Sequence, residues 1–182
     1  MALGNSHILG PPVETLYFDV LQFLYHLALA VLVGGSLALG AAAAPAIFGP
    51  GGSAAREPPV LTRAQAGTIF GAALARFDGL AILAVIALAL TTILKATAFE
   101  VTGVPDPRLI VRWAALVLLA LATLYSSAWA NPVARQIRAA TPGFDEQPQS
   151  SPLRVEFARL HQRSRRAMSV AVVFGLLALF LG

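Results

Sequence analysis

From Val20 to Phe48 the chain runs about 29 residues without Asp, Glu, Lys or Arg, and apolar stretches recur from Phe77 to Leu94, from Trp113 to Asn131 and from Ala167 to Leu181. A hydrocarbon layer about 30 Å thick takes roughly 20 residues of helix to cross. The pattern therefore predicts four membrane spans, at about 19–45, 77–97, 109–131 and 166–182. The last apolar run is short, so its helix is expected to begin inside the preceding basic segment, to tilt little, or to sit where the bilayer is thin.

The breaks between spans are written in proline and glycine. Pro11 and Pro12 ahead of Val13-Glu14 open the first helix, and Gly49 to Pro59, with Pro50, Gly51, Gly52 and Pro58, is a linker no helix survives. Thr62 reads as an N-cap. After it Ala66, Ile69, Phe70, Ala73, Leu74 and Phe77 recur at helical spacing, which predicts an interfacial helix at about 62–76. Gly103, Pro105 and Pro107 break the chain again, Asn131 before Pro132 reads as a helix terminator, and Pro45 shapes the exit of the first span. Pro142-Gly143 and Gln147 to Pro152 form a second linker whose prolines and polar residues favour mobility, followed by a basic amphipathic helix at about 153–166. The expected fold is all-α: a four-transmembrane-helix bundle with two short cytoplasmic amphipathic helices, forming one integral membrane domain over residues 1–182.

Pro45 and Pro132, Phe70 and Phe157, Arg76 and Arg163, and Val85 and Val172 are each 87 residues apart. Two readings stand: a tandem repeat of span, loop, interfacial helix and span, with both halves in the same orientation, or coincidence in an Ala/Leu-rich chain.

Composition sharpens this picture. The chain is 57% hydrophobic and 12% charged, against about 25% charged in a typical soluble domain, which excludes a soluble fold. Cysteine is absent, so disulfide and thiolate chemistry are excluded. The net charge of +4 does not point to nucleic acid, because the basic residues flank apolar spans. Ten Lys and Arg lie in the first and third connections and three on the other side, which places those connections in the cytoplasm and both termini outside a cell membrane. A cleaved signal peptide is the competing reading of the first span, but that span lacks a positive n-region and is too long.

Two polar clusters carry the candidate chemistry. Asp19, Gln22 and His26 share a helical face near the outer end of the first span, and Thr91, Thr92 and Lys95 close the second, so a hairpin would join them in an outer polar pocket. His26 in that pocket either serves as a ligand or proton-relay group or hydrogen-bonds Thr91 across the helices. The cytoplasmic cluster comprises Arg76, Asp78, Arg135, Arg138, Arg159, His161, Arg163, Arg165 and Arg166, with Glu156 able to pair with Arg159, and suits anionic headgroups or a partner protein. Asp78 is expected to neutralise one of these arginines. The small residues Gly34, Ala38, Gly40, Ala42 and Ala44 are spaced to let another helix approach. No metal-binding spacing, Ser-His-Asp arrangement or phosphate-binding glycine loop is present.

Leu24-Tyr25-His26-Leu27, Gly34-Gly35, Ala44-Pro45-Ala46-Ile47-Phe48 and Ala66-Gly67, followed by Tyr125-Ser126, Asn131-Pro132 with Arg135, and Phe157-Ala158-Arg159-Leu160-His161 with Ser164, stand in an order that resembles the transmembrane protein 205 family of four-helix membrane proteins. Val33 departs from the aromatic residue that members often carry before the glycine pair. His26 ahead of Gly34-Gly35 is also distantly similar to the copper-resistance D proteins and to a haem-containing protoporphyrinogen oxidase family. The second resemblance implies haem on His26, with Lys95 as the candidate opposite ligand. Copper would want sulfur, and the chain offers only Met1 and Met168. His26 and His161 lie about 20 Å or more apart along the spans and cannot share a metal.

The expected function is a non-enzymatic structural or interaction protein of the membrane, with no cofactor and no metal. Its expected partners are the lipid bilayer and its anionic headgroups, together with a possible second copy or membrane partner, and not nucleic acid. The alternatives are a small-solute or ion transporter built on the pocket around His26, and a haem-binding membrane redox protein.

Overall fold

The computed structural model describes residues 11–101 and 103–182. Six α-helices follow in order: α1 Pro11–Leu37, α2 Ala44–Phe48, α3 Arg63–Lys95, α4 Pro107–Leu124, α5 Asn131–Ala140 and α6 Pro152–Leu181. Wide π-helical turns at Ala38–Ala43 and Tyr125–Ala130 join α1 to α2 and α4 to α5, and a third, Ala96–Glu100, extends α3. The result is four rods, Val13–Phe48, Arg63–Glu100, Pro107–Ala140 and Pro152–Leu181, each long and apolar enough to cross a membrane. One end of the bundle carries Lys95, the other Asp78.

The first and third rods run past the prolines expected to end them. Pro45 and Pro132 lack an N–H, and their rings would strike the carbonyl four residues back in a regular helix. The π turn just before each widens the backbone there, and the helix resumes to Phe48 and Ala140. The two segments expected as interfacial helices are likewise not separate elements. Residues 63–76 and 153–166 are the first turns of α3 and α6, because Arg76-Phe77-Asp78 and Arg166-Ala167-Met168 contain no residue that breaks a helix. Thr62 caps α3 as expected: its Oγ1 accepts from the Gln65 N–H at 3.2 Å while Gln65 Oε1 accepts from the Thr62 N–H at 3.0 Å.

The helices pair as α1 with α3 and α4 with α6, and α1 against α6 joins the pairs. Element limits repeat at the 87-residue spacing: α1 ends at Leu37 and α4 at Leu124, and the π turns are Ala38–Ala43 and Tyr125–Ala130. Burial repeats too. Tyr25, Ala28, Leu29 and Leu32 are buried, as are Arg112, Ala115, Leu116 and Leu119; Ala84, Leu88 and Thr91 are matched by Ala171, Gly175 and Ala178. The two halves are copies of one architecture in the same orientation.

They differ in the lengths of α2 and α5 and in the packing of the two π turns. The second π turn buries Ser126, Ser127 and Ala130, whereas the first buries nothing. Position 77 holds Phe and position 164 holds Ser. The Phe77 ring lies over Gly35, where an added Cβ would collide with it; Ser164 instead leaves room for the second π turn to close. The small residues expected to admit another helix do not do so within this chain: Gly34, Ala38, Gly40 and Ala42 are exposed, and nothing lies within 4 Å of a Cβ built on Gly34 or Gly40. Close approach occurs at Gly35 and at Gly175, which sits against Val33 and Leu119. Outside, Leu80, Leu83, Ile86, Leu90 and Ile93 on α3 face away from the bundle, as a lipid-facing surface requires.

Candidate functional site

At the Lys95 end, a charged cluster is set among apolar helices. Lys95, 3% exposed, donates to Gln22 Oε1 on α1 and lies 3.5 Å from Glu100 Oε1. Arg112 on α4, equally withdrawn from solvent, donates to Glu100 Oε2 at 2.5 Å. Tyr25 fills the space between, with Lys95 Nζ 4.6 Å from its ring centroid. Glu100 is five residues beyond Lys95, a spacing that diverges in an α-helix and converges in the π turn Ala96–Glu100.

This cluster differs from the outer pocket read in the sequence. Gln22 and Lys95 meet. His26, however, bonds its own helix through Nδ1 and the Gln22 carbonyl at 2.9 Å, and Asp19 is exposed. Thr91 does not cross to His26; its hydroxyl donates to the carbonyls of Ala87 and Leu88 on α3. Thr92 Oγ1, Arg112 Nε and Trp113 Nε1 are buried without a partner among the described residues. The Tyr25 side chain, 1% exposed, packs against both His26 and Lys95, with its ring centroid 5.4 Å from that of His26 and 4.6 Å from Lys95 Nζ. The residues that complete the cluster, Tyr25, Glu100 and Arg112, were not legible as a set.

At the other end, Asp78 on α3 is 3% exposed and accepts from Arg135 Nη1 at 2.5 Å and from Asn131 Nδ2 at 2.8 Å. The arginine it neutralises is therefore Arg135, and not its sequence neighbour Arg76, since residues two apart do not share a helix face. Asn131 Oδ1 accepts from Ser164 Oγ at 2.6 Å, and Ser164 Oγ lies 2.7 Å from Ser126 Oγ. Ser164 has one proton and gives it to Asn131, so Ser126 is the donor of the last bond. The network ties α3, α5, the second π turn and α6 together. Asn131, expected only to end a helix, is its central member.

Beside this network lies a groove of about 500 Å³ between residues 141–151 and the start of α6. Gly143, at φ +61°, turns the backbone so that the N–H groups of Glu146 and Gln147 reach its carbonyl. Arg154 Nη1 donates to the carbonyls of Asp145 at 3.1 Å and Gln147 at 2.8 Å, and pins the linker expected to be mobile. Arg138, His161 and Arg165 line the groove; Arg159, Arg163 and Arg166 are exposed on α6, with Arg159 3.5 Å from Glu156, and Arg76 is exposed on α3. Between the two ends lies an apolar layer of Leu29, Leu32, Val85, Leu88, Leu116 and Leu119.

Among known proteins, the model of a family described as a domain of unknown function, DUF4149, matches residues 27–142, which take in Lys95, Glu100 and Arg112 and most of the Asp78 network, but not Gln22, Tyr25, His26 or α6. No curated protein and no solved structure matches the chain.

Proposed function

The chain belongs to the DUF4149 family, and from that premise we propose that it is a non-enzymatic multi-pass membrane protein that engages anionic lipid headgroups at its Asp78 end. The observation that carries this reading is the start of α6. Arg159, Arg163, Arg165 and Arg166 stand exposed immediately before the apolar stretch 167–181, and among the described residues the only carboxylate paired with any of them is Glu156, at 3.5 Å from Arg159. Cations at that level gain on the order of 1 kcal/mol each from anionic lipid. The positive-inside rule makes this end the cytoplasmic face and leaves both termini outside. The resemblance to the transmembrane protein 205 family belongs to the same proposal. Mass spectrometry of the protein released from mixed zwitterionic and anionic nanodiscs tests it: wild type retains anionic lipid selectively, and R159Q/R163Q/R166Q loses that selectivity. Equal retention of both lipid classes by wild type overturns it.

One observation favours a second reading, a carrier of a small anion. Among the described residues, Lys95 and Arg112 are two buried cations that share one carboxylate, Glu100, and Arg112 Nε has no partner. An apolar layer lies between the two ends, so on this reading transport would move the pair α1 and α3 against α4 and α6. Anion flux into proteoliposomes that Glu100→Gln changes would support it; no flux above empty liposomes would sink it.

A further inference from the structure

We infer that the groove beside α6 is a defined site for a phosphate ester, in which two preset guanidinium groups take the phosphate and the remaining space takes the polar body that bears it. The inference rests on the reading of this end as anion-binding and names its ligand; it shares Arg165 with that reading and adds Arg138 and Arg154.

Three cations line the groove, Arg138, Arg154 and Arg165, against one acid, Asp145. Two of them are held before any ligand arrives. Arg154 spends Nη1 on two carbonyls and lies 5.5 Å from the Phe144 ring centroid, while its Nη2 and Nε bond nothing among the described residues. Arg138 donates through Nη2 to Asp145 Oδ2 at 2.7 Å and lies flat on α3 at Gly67, where an added Cβ would collide with the guanidinium. A planar fork already fixed in place loses little rotamer freedom on binding a phosphate by paired hydrogen bonds. The Arg165 guanidinium has no hydrogen-bond or ion-pair partner among the described residues and is exposed at the groove wall, free to close on a ligand.

Size and lining set the rest of the ligand. A volume of about 500 Å³ falls in the range of small-molecule sites, about 300–1,000 Å³, and exceeds what a bare phosphate fills. Phe157 and His161 stack in parallel on one wall, with centroids 6.0 Å apart and planes 3° apart, and offer a flat surface beside the cations. Arg165 is two residues ahead of Ala167, where the apolar stretch of α6 begins, so the groove opens at headgroup level. The same chemistry has two sources: the headgroup of an anionic phospholipid and a soluble phosphate ester.

Two probes separate the sources. Phosphatidylglycerol is titrated into nanodiscs carrying the full chain, and glycerol 1-phosphate is titrated calorimetrically into the detergent-purified protein. Saturable binding of the lipid alone assigns the headgroup; saturable binding of the ester assigns a soluble ligand. Either affinity is expected to fall at least tenfold in R138Q/R165Q, which leaves the Arg154 staple intact. No saturation by either probe, or equal affinity in wild type and R138Q/R165Q, overturns the site even where nanodisc selectivity survives. Absence of that selectivity in wild type, with the groove affinity intact, overturns the surface reading instead.

Discussion

Asn131 Nδ2 donates to Asp78 Oδ1 at 2.8 Å, and this bond carries the hydrogen-bonding of the second rod into the third and, through Ser164, into the fourth. The orientation of the amide is set by charge: with its oxygen turned to the Asp78 carboxylate it would repel, and the Ser164 hydroxyl would lose its acceptor.

That arrangement makes the two partners of the Arg135–Asp78 pair unequal. Asp78 is buried, whereas the Arg135 side chain is 36% exposed. Arg135→Gln strands a carboxylate in an apolar surround and should destabilise by about 3 kcal/mol or more, while Asp78→Asn removes the charge and should cost about 1–2 kcal/mol. Thermal unfolding in mild detergent checks the order, and a larger loss in Asp78→Asn contradicts it.

Along the same chain of bonds, position decides the cost. Ser164→Ala leaves Asn131 Oδ1 buried without a donor, and a loss of about 1–2 kcal/mol is expected. Ser126→Ala removes only the terminal donor and should cost about 0.6 kcal/mol, the average for such bonds between membrane helices. A double-mutant cycle on Asn131 and Ser164 should show coupling; additive effects would mean that the bond does not form.

The opposite end gives a charge-balance test. Glu100→Gln leaves Lys95 and Arg112 buried with no carboxylate, so a loss of about 3–5 kcal/mol is expected. Adding Lys95→Met should recover part of it by removing one cation. Should the double variant unfold earlier than Glu100→Gln alone, Lys95 is not held by Glu100.

Among the glycines, neighbours rather than spacing set the outcome. Gly175→Ala drives a methyl into Val33 and to 3.0 Å from Leu119 Cδ1, and overpacking of about 1–3 kcal/mol should follow. Gly34→Ala meets nothing within 4 Å and should be neutral or mildly stabilising. Denaturation of the two variants side by side measures this; equal loss at both would place another chain against Gly34.

How much of this was legible depends on the range of the forces involved. Span number, the linkers, the Thr62 cap and the half-chain spacing are local or periodic properties, and hydrophobicity with backbone hydrogen bonding writes them directly into residue order. The rods' passage through Pro45 and Pro132 was not legible, because a proline reads as a stop until a wide turn absorbs its missing hydrogen bond. The same kind of turn converges Lys95 and Glu100 at a spacing no regular helix would use, which is why Gln22 and Lys95 were found and Glu100 was not.

By itself, the sequence determined that this chain is a four-span helical membrane protein with a basic end, because transfer of apolar residues into lipid acts on each segment independently of the others. Only the tertiary structure decided that Asp78 takes Arg135 rather than another arginine of the basic cluster, that Asn131 is a centre of hydrogen bonding rather than a terminator, and that His26 turns back on its own helix. Those choices depend on which helix faces which and at what rotation. Such geometry arises from close packing at positions such as Gly35, Gly175 and Ser164, and it has no counterpart in the order of residues along one strand of chain.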